Sequence, residues 1–181
     1  MRCALRSKRS AAVAPCLGVI DELSTRIGEL DRAIAATIKT SYPQAQKLQQ
    51  STGAGPITSL SYVLTIEDAQ RFQDPRDVGA YLGLVPRRDQ SGAIDKELSI
   101  GKSGNGYLRS LLVQSAHYIL GAFGPDCDLR RHGLKLAARG GKGAQKKAII
   151  ASARKPAVLL LVLWKSPADY QPLRHPAASA A

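Results

Sequence analysis

The sequence predicts a mainly α-helical chain, and three observations carry that prediction. Apolar residues recur in steps of three and four from Val13 to Ile34, and again from Leu108 to Ile119. A third helical stretch begins at Ala144 and ends in the apolar run Ala157 to Trp164. Such spacing gathers apolar side chains into one stripe of a helix, whereas a half-buried strand alternates every second residue. Glycine and proline cluster between these stretches and mark the turns. At 181 residues with 44% hydrophobic content, the chain is long enough to bury one core and carry an extension.

Residues 1–12 form a basic leader without the sustained apolar run of a secretory signal. Residues 13–50 form a coiled-coil-like helical segment with the stripe Val13, Cys16, Ile20, Leu23, Ile27, Leu30 and Ile34, and the helix should weaken at Ser41 to Pro43. Folding of this stripe onto its own domain and pairing with another protomer both remain open. Residues 51–165 form the main domain, which starts with the turn Ser51-Thr52-Gly53-Ala54-Gly55-Pro56 and a helix over 57–66. Exposed amides around Gly53 and Gly55 suit a phosphate at a helix amino terminus. A helix-hairpin-helix contact to a DNA backbone and a plain tight turn both fit this spacing.

Asp74-Pro75 then opens a short helix carrying Val78, Tyr81 and Leu82, which Gly83 stops. The polar stretch 84–100 reads as a loop or a short extended pair, where exposed chemistry fits best. Asn105 to Leu120 is a core helix with Arg109 near its first turn and His117 in or near the core. Asp126 and Asp128 are expected to cap a helix over 129–138. A flexible basic loop at 140–143 precedes the last helix, which Pro156 should kink or split. Residues 166–181 read as a disordered tail.

The formal charge is +12 and the sequence pI about 10.0. Fourteen Lys or Arg stand against five Asp or Glu between Pro86 and Lys155, so the basic character is regional. A polyanion is the expected partner, with DNA, RNA and an acidic membrane face all open on charge alone. No stretch reaches the roughly 20 apolar residues that span a bilayer. Three scattered cysteines fit neither a disulfide framework nor paired zinc ligands, so a reducing cytosol is the expected compartment. His117, His132 and His175 share no ligand spacing, and no metal site is expected. Gly101-Lys102-Ser103 is not a phosphate loop, because Lys96 stands where the earlier glycine belongs.

In Gly83-Leu84-Val85-Pro86-Arg87-Arg88-Asp89-Gln90-Ser91-Gly92 a serine follows two arginines within a polar turn. Together with GAGPITSL, GKSGNGYLRSLLVQSA and GPDCDLRRHGLKLAARGGK, this segment resembles, in order and distance, the bridge-RNA-guided transposases of the insertion-sequence family numbered one hundred and ten, relatives of the Piv invertases. The likeness spans roughly residues 50 to 165.

The resemblance implies a helical transposase domain with a helix-hairpin-helix-like turn and a short loop or β-hairpin insertion, preceded by a coiled-coil-like helix. It implies that Ser91 is the nucleophile, attacking the DNA backbone to form a phosphoserine ester. Arg87, Arg88, Lys102 and Arg109 would neutralise charge at the reacting phosphate, while Gly53, Gly55, Lys142, Lys146 and Lys147 would follow nucleic-acid backbone. In that family a RuvC-like domain holds magnesium through four acidic residues. No such set occurs here, so no cofactor is expected on this chain, and magnesium only with that missing domain. DNA is the implied partner, with a guide RNA and a homo-oligomer, or a hetero-oligomer with full-length transposase, as further expectations. A truncated transposase, inactive alone, is the leading expectation. A non-enzymatic nucleic-acid-binding or coiled-coil module that modulates full-length transposase is the alternative, and a purely structural helical protein is a third.

Overall fold

A computed structural model describes residues 2–91, 94–141 and 143–174. The chain divides into two units, Met1–Ser41 and Tyr42–Ala181. The first is the helix α1, Arg2–Ser41. Its apolar stripe is left in solvent: Val13, Ile20, Leu23, Ile27 and Leu30 are each at least half exposed. The helix already runs through the segment expected as a leader. It ends at Ser41, so residues 43–48 form a separate helix of the second unit instead of prolonging the stripe.

The second unit is built around α7, Ala144–Lys165, which packs against α2 (Pro43–Leu48), α4 (Asp77–Tyr81), α5 (Gly106–Leu120) and α6 (Asp128–Ala137). Helix α3, Pro56–Ile66, lies against α2 and α5. The core is aliphatic, with Leu108, Leu112, Ile119, Leu160 and Leu161 fully buried. Polar groups are built into it as well, among them Ser59, Ser152 and the Tyr62 phenol. The Tyr62 hydroxyl donates to the Ala157 carbonyl at 2.7 Å, and burial pushes the phenol well above its ordinary pKa. Mainly α is therefore the observed class, and the only sheet among the described residues is the antiparallel pair β1 (Pro86–Ser91) and β2 (Ile94–Ile100).

Several expectations are corrected. Helix α7 continues through Pro156 rather than splitting there. A proline inside a helix costs about 3 kcal/mol through its missing amide and ring clash. Here Pro156 is buried beside Ala153 and Ala157, and that packing holds the helix together. His117 is exposed, on the solvent side of α5, and not in the core. Helix α6 is capped by neither aspartate: the Cys127 sulfur accepts from the Arg130 amide, Asp128 sits in the first turn, and Asp126 pairs with Arg131 at 2.7 Å. That pairing holds the Asp126 carboxyl below its ordinary pKa. Asp74 does not open α4 directly. Its carboxylate closes the preceding turn on the Arg76 amide, and the helix begins at Asp77.

The segment after α7 also departs from the expected disordered tail over its described part. Lys47 donates to the Ser166 carbonyl, Gln50 bonds Asp169 and the Tyr170 amide, and the Asp128 amide donates to the Pro172 carbonyl at 2.8 Å. Residues 175–181 lie outside the described residues.

Close helix contact makes one substitution diagnostic. A Cβ at Gly133 would press on the Ser152 hydroxyl and lie 2.5 Å from a Leu120 methyl, whereas one at Gly28 would meet nothing within 4 Å. Gly133→Ala should therefore lower stability by about 1–3 kcal/mol through overpacking. Gly28→Ala should be neutral or gain about 0.5–1 kcal/mol from helix propensity. Urea unfolding midpoints check both.

Candidate nucleic-acid interface

The ribbon that carries Ser91 rises from a tight chain crossing. Gly83 and Gly104 both hold left-handed backbone, at φ +66° and +72°. A Cβ on Gly83 would lie 2.5 Å from the Ser103 carbonyl oxygen, and one on Gly104 would press still closer on the Tyr81 carbonyl. Only glycine allows the incoming and outgoing strands to meet this closely. Backbone bonds seal the base: the Leu84 amide donates to the Gly79 carbonyl, Gly101 to Val85 and Lys102 to Gly83.

Arg109 locks the crossing. Its Nη1 donates to the Leu82 carbonyl at 3.0 Å and to the Ser103 carbonyl at 2.8 Å, tying both legs of the ribbon to α5. Asn105 supports the same point, capping α5 through the Leu108 amide and reaching Thr65 on α3. Sequence reasoning gave Arg109 a phosphate. The structure gives that nitrogen two backbone carbonyls, at the base of the ribbon and far from Ser91.

Ser91 is exposed at the opposite end of β1, where it pairs with Ile94 of β2. Five residues of strand separate it from Pro86, roughly 17 Å. Arg87 and Arg88 are exposed on the same strand. The regular register from Arg88 to Ser91 places those two on opposite faces of the ribbon, while the irregularity between Pro86 and Arg88 falls at Arg87. Lys102 is exposed at the base, and its backbone is left-handed at φ +57°, uncommon for a side-chain-bearing residue.

The turn at Gly53 and Gly55 is elsewhere. Gly53 has φ +83° and its carbonyl accepts from the Ser115 hydroxyl at 2.7 Å, while a Cβ there would crowd Ile119. Ser115 and Ile119 belong to the last half of α5, and Arg109 to its first turn. The two predicted clusters thus sit toward opposite ends of a helix roughly 20 Å long. Gly55 is the N-cap of α3, with no side-chain cap and Pro56 at the first helical position.

Lys146 and Lys147 are exposed in the first turn of α7 and border a groove of 1360 Å³ between α6, α7 and the base of the ribbon. Lys142 lies outside the described residues. The groove brings in four cationic or titratable residues that sequence reasoning missed: Arg76, His132, Arg154 and Lys155. The signal was present in part, since Lys147, Arg154 and Lys155 recur at seven and eight residues, about two helical turns. Burial, then Lys155, Arg139 and Lys135, hold His132 below its ordinary pKa. Burial also lowers Lys155, against the pull of Asp128. Among the described residues no group of three or more His, Cys, Asp or Glu side chains converges to hold a metal ion, and no helix is long and apolar enough to cross a membrane.

Residues 45–128 match the model of the Transposase IS116/IS110/IS902 family. The chain is similar to a probable family 20 transposase of Pseudomonas aeruginosa, 34% identical over 118 residues, covering 64% of this chain and 35% of that protein. It is 35% identical over 94 residues to the transposase for insertion sequence element IS1111A of Coxiella burnetii, covering 52% of this chain and 26% of that one. A pilin gene-inverting protein of Moraxella lacunata is 33% identical over 137 residues, 75% of this chain and 40% of its own length. The chain therefore spans between about a quarter and two fifths of these curated relatives.

Arg109→Lys tests the lock. Both bonds leave the far Nη1 of the planar guanidinium, and the lysine ammonium ends one bond short of that position on a flexible stem. The variant should lose about 1–3 kcal/mol in urea unfolding and exchange the Gly101 and Lys102 amides faster than the parent.

Proposed function

We propose that this chain supplies the DNA-binding, serine-bearing part of a transposase, in which the Ser91 hydroxyl breaks and rejoins a DNA strand. The observation that carries this reading is the exposed position of Ser91 at the free end of a ribbon whose base is locked, on a strand that also carries Arg87 and Arg88. A hydroxyl that reaches beyond the helical frame can meet the phosphorus of a bound strand. Its oxygen forms the new ester, the 3′ oxygen leaves with a proton, and the stored phosphoserine bond is returned to a 3′ hydroxyl on rejoining. Cations beside the phosphate stabilise the charge that grows on its oxygens. Arg87, on the strand of Ser91, is the group for that task; Arg88 on the opposite face and Lys102 at the ribbon's base would follow backbone away from the reacting phosphate, and Arg109 holds the ribbon.

Among the described residues no group of three or more His, Cys, Asp or Glu side chains converges to hold magnesium. Metal, guide RNA and full-length transposase are partners brought by the rest of the assembly in this reading. The alternative, a non-enzymatic module that modulates full-length transposase through mixed oligomers, is favoured by one observation. The α1 stripe leaves five large apolar side chains at least half exposed, which favours association with a matching helix.

The test is a suicide DNA substrate incubated with this chain, a full-length family member, guide RNA and magnesium. A covalent adduct at this chain's mass, absent in Ser91→Ala, is the expected result. DNA binding with no adduct from the parent chain would favour the modulating module.

A further inference from the structure

The groove bounded by α6, α7 and the ribbon base has two surfaces of different chemistry. Its floor is aliphatic, including Leu84, Leu98, Leu136, Ile150, Val158 and Val162. Its rim carries Arg76, His132, Lys146, Lys147, Arg154 and Lys155. None of these six is ion-paired or hydrogen-bonded through its side chain to another described residue. Among the described residues Asp128 draws on Lys155, which burial nonetheless holds below its ordinary pKa. A rim of cations this poorly neutralised attracts an anion, and a floor this apolar favours a ligand with flat or greasy faces.

We propose that this groove holds an unpaired stretch of nucleic-acid strand, with phosphates on the cationic rim and base faces against the aliphatic floor. The inference rests on the nucleic-acid reading above and adds a strand state and a second surface to it. Size favours a polymer: 1360 Å³ exceeds the roughly 300–1,000 Å³ of small-molecule pockets. A duplex presents its sugar-phosphate exterior and leaves the aliphatic floor in water, whereas unstacked bases cover it. Contacts of this kind are tolerant of sequence, because every base has a flat face and every nucleotide a phosphate.

The lysines and arginines of the rim also divide the chain's surfaces by task. Ser91 stands at the far end of the ribbon, while Leu98 and Ile100, near the ribbon's base, contribute to the groove wall. A strand lying in the groove would therefore be held at the base of the same ribbon whose other end carries the hydroxyl.

The experiment is fluorescence anisotropy with the full chain and three labelled probes: a 15-nucleotide single strand, the duplex of the same sequence, and an acidic amphipathic peptide. The single strand should bind roughly tenfold more tightly than the duplex at about 0.1 M salt. The exposed rim variant Lys147→Gln with Lys155→Gln should weaken single-strand binding roughly tenfold and reduce the slope of log affinity against log salt by about 1–2. Val162→Ser, on the floor, should weaken the single strand several-fold and leave the duplex unchanged, with circular dichroism confirming its fold. Equal or tighter duplex binding, or rim variants without effect, overturns the groove and leaves the DNA reading standing. Preference for the acidic peptide overturns it in favour of a protein partner. Binding of no nucleic acid at all sinks both.

Discussion

The bridge from Arg109 to the carbonyls of Leu82 and Ser103 is the constraint on which the presentation of the ribbon depends. Those two carbonyls lie at the two ends of a twenty-residue excursion from the helical core, and closing such an excursion is entropically unfavourable. Two-stranded ribbons are marginal alone, because they bury too little apolar surface to hold their own shape. One guanidinium, fixed on the first turn of α5, joins both legs to a rigid helix. The left-handed glycines at 83 and 104 permit the close approach that brings the carbonyls within its reach. Rigidity at the base is what allows an exposed side chain at the tip to occupy a defined place.

The same helix then organises the remaining surfaces. Toward one end of α5 stands the ribbon. Toward the other, the Ser115 hydroxyl and the Ile119 side chain hold the Gly53 turn. Helix α7 runs behind both and turns its basic side toward the groove. Residues 45–128, which carry the family's signature, span the Gly53 turn, the ribbon and α5, while α7 lies beyond them. The segment that matches the family model thus contains the ribbon and its mount, and the groove joins it to a helix outside that segment.

Much of the frame was legible in the sequence because helix formation depends on neighbours three and four residues away. Leu108, Leu112 and Ile119 are buried on one side of α5, as their spacing demands. The glycine turn before α3 was legible for a similarly local reason, with Pro56 at the first helical position. The structural bonds of Arg109 were not legible because its partners are 27 and 6 residues away, and nothing in its own neighbourhood distinguishes a carbonyl from a phosphate as the acceptor. Helix α7 survives Pro156 because tertiary burial outweighs a local rule. The groove was only half visible: Lys146 and Lys147 were found as a basic pair, but Arg76 and His132 join them only when α4, α6 and α7 pack together.

The central claim is that the locked ribbon delivers position 91 to DNA. Photo-crosslinking tests it most directly, with a photoreactive amino acid placed at position 91 and, as a reference, at the exposed position 123. The account predicts crosslinks to the DNA strand from position 91 that are lost when Arg109 is replaced by Lys, and none from position 123. DNA that binds normally but never crosslinks from position 91 would contradict it.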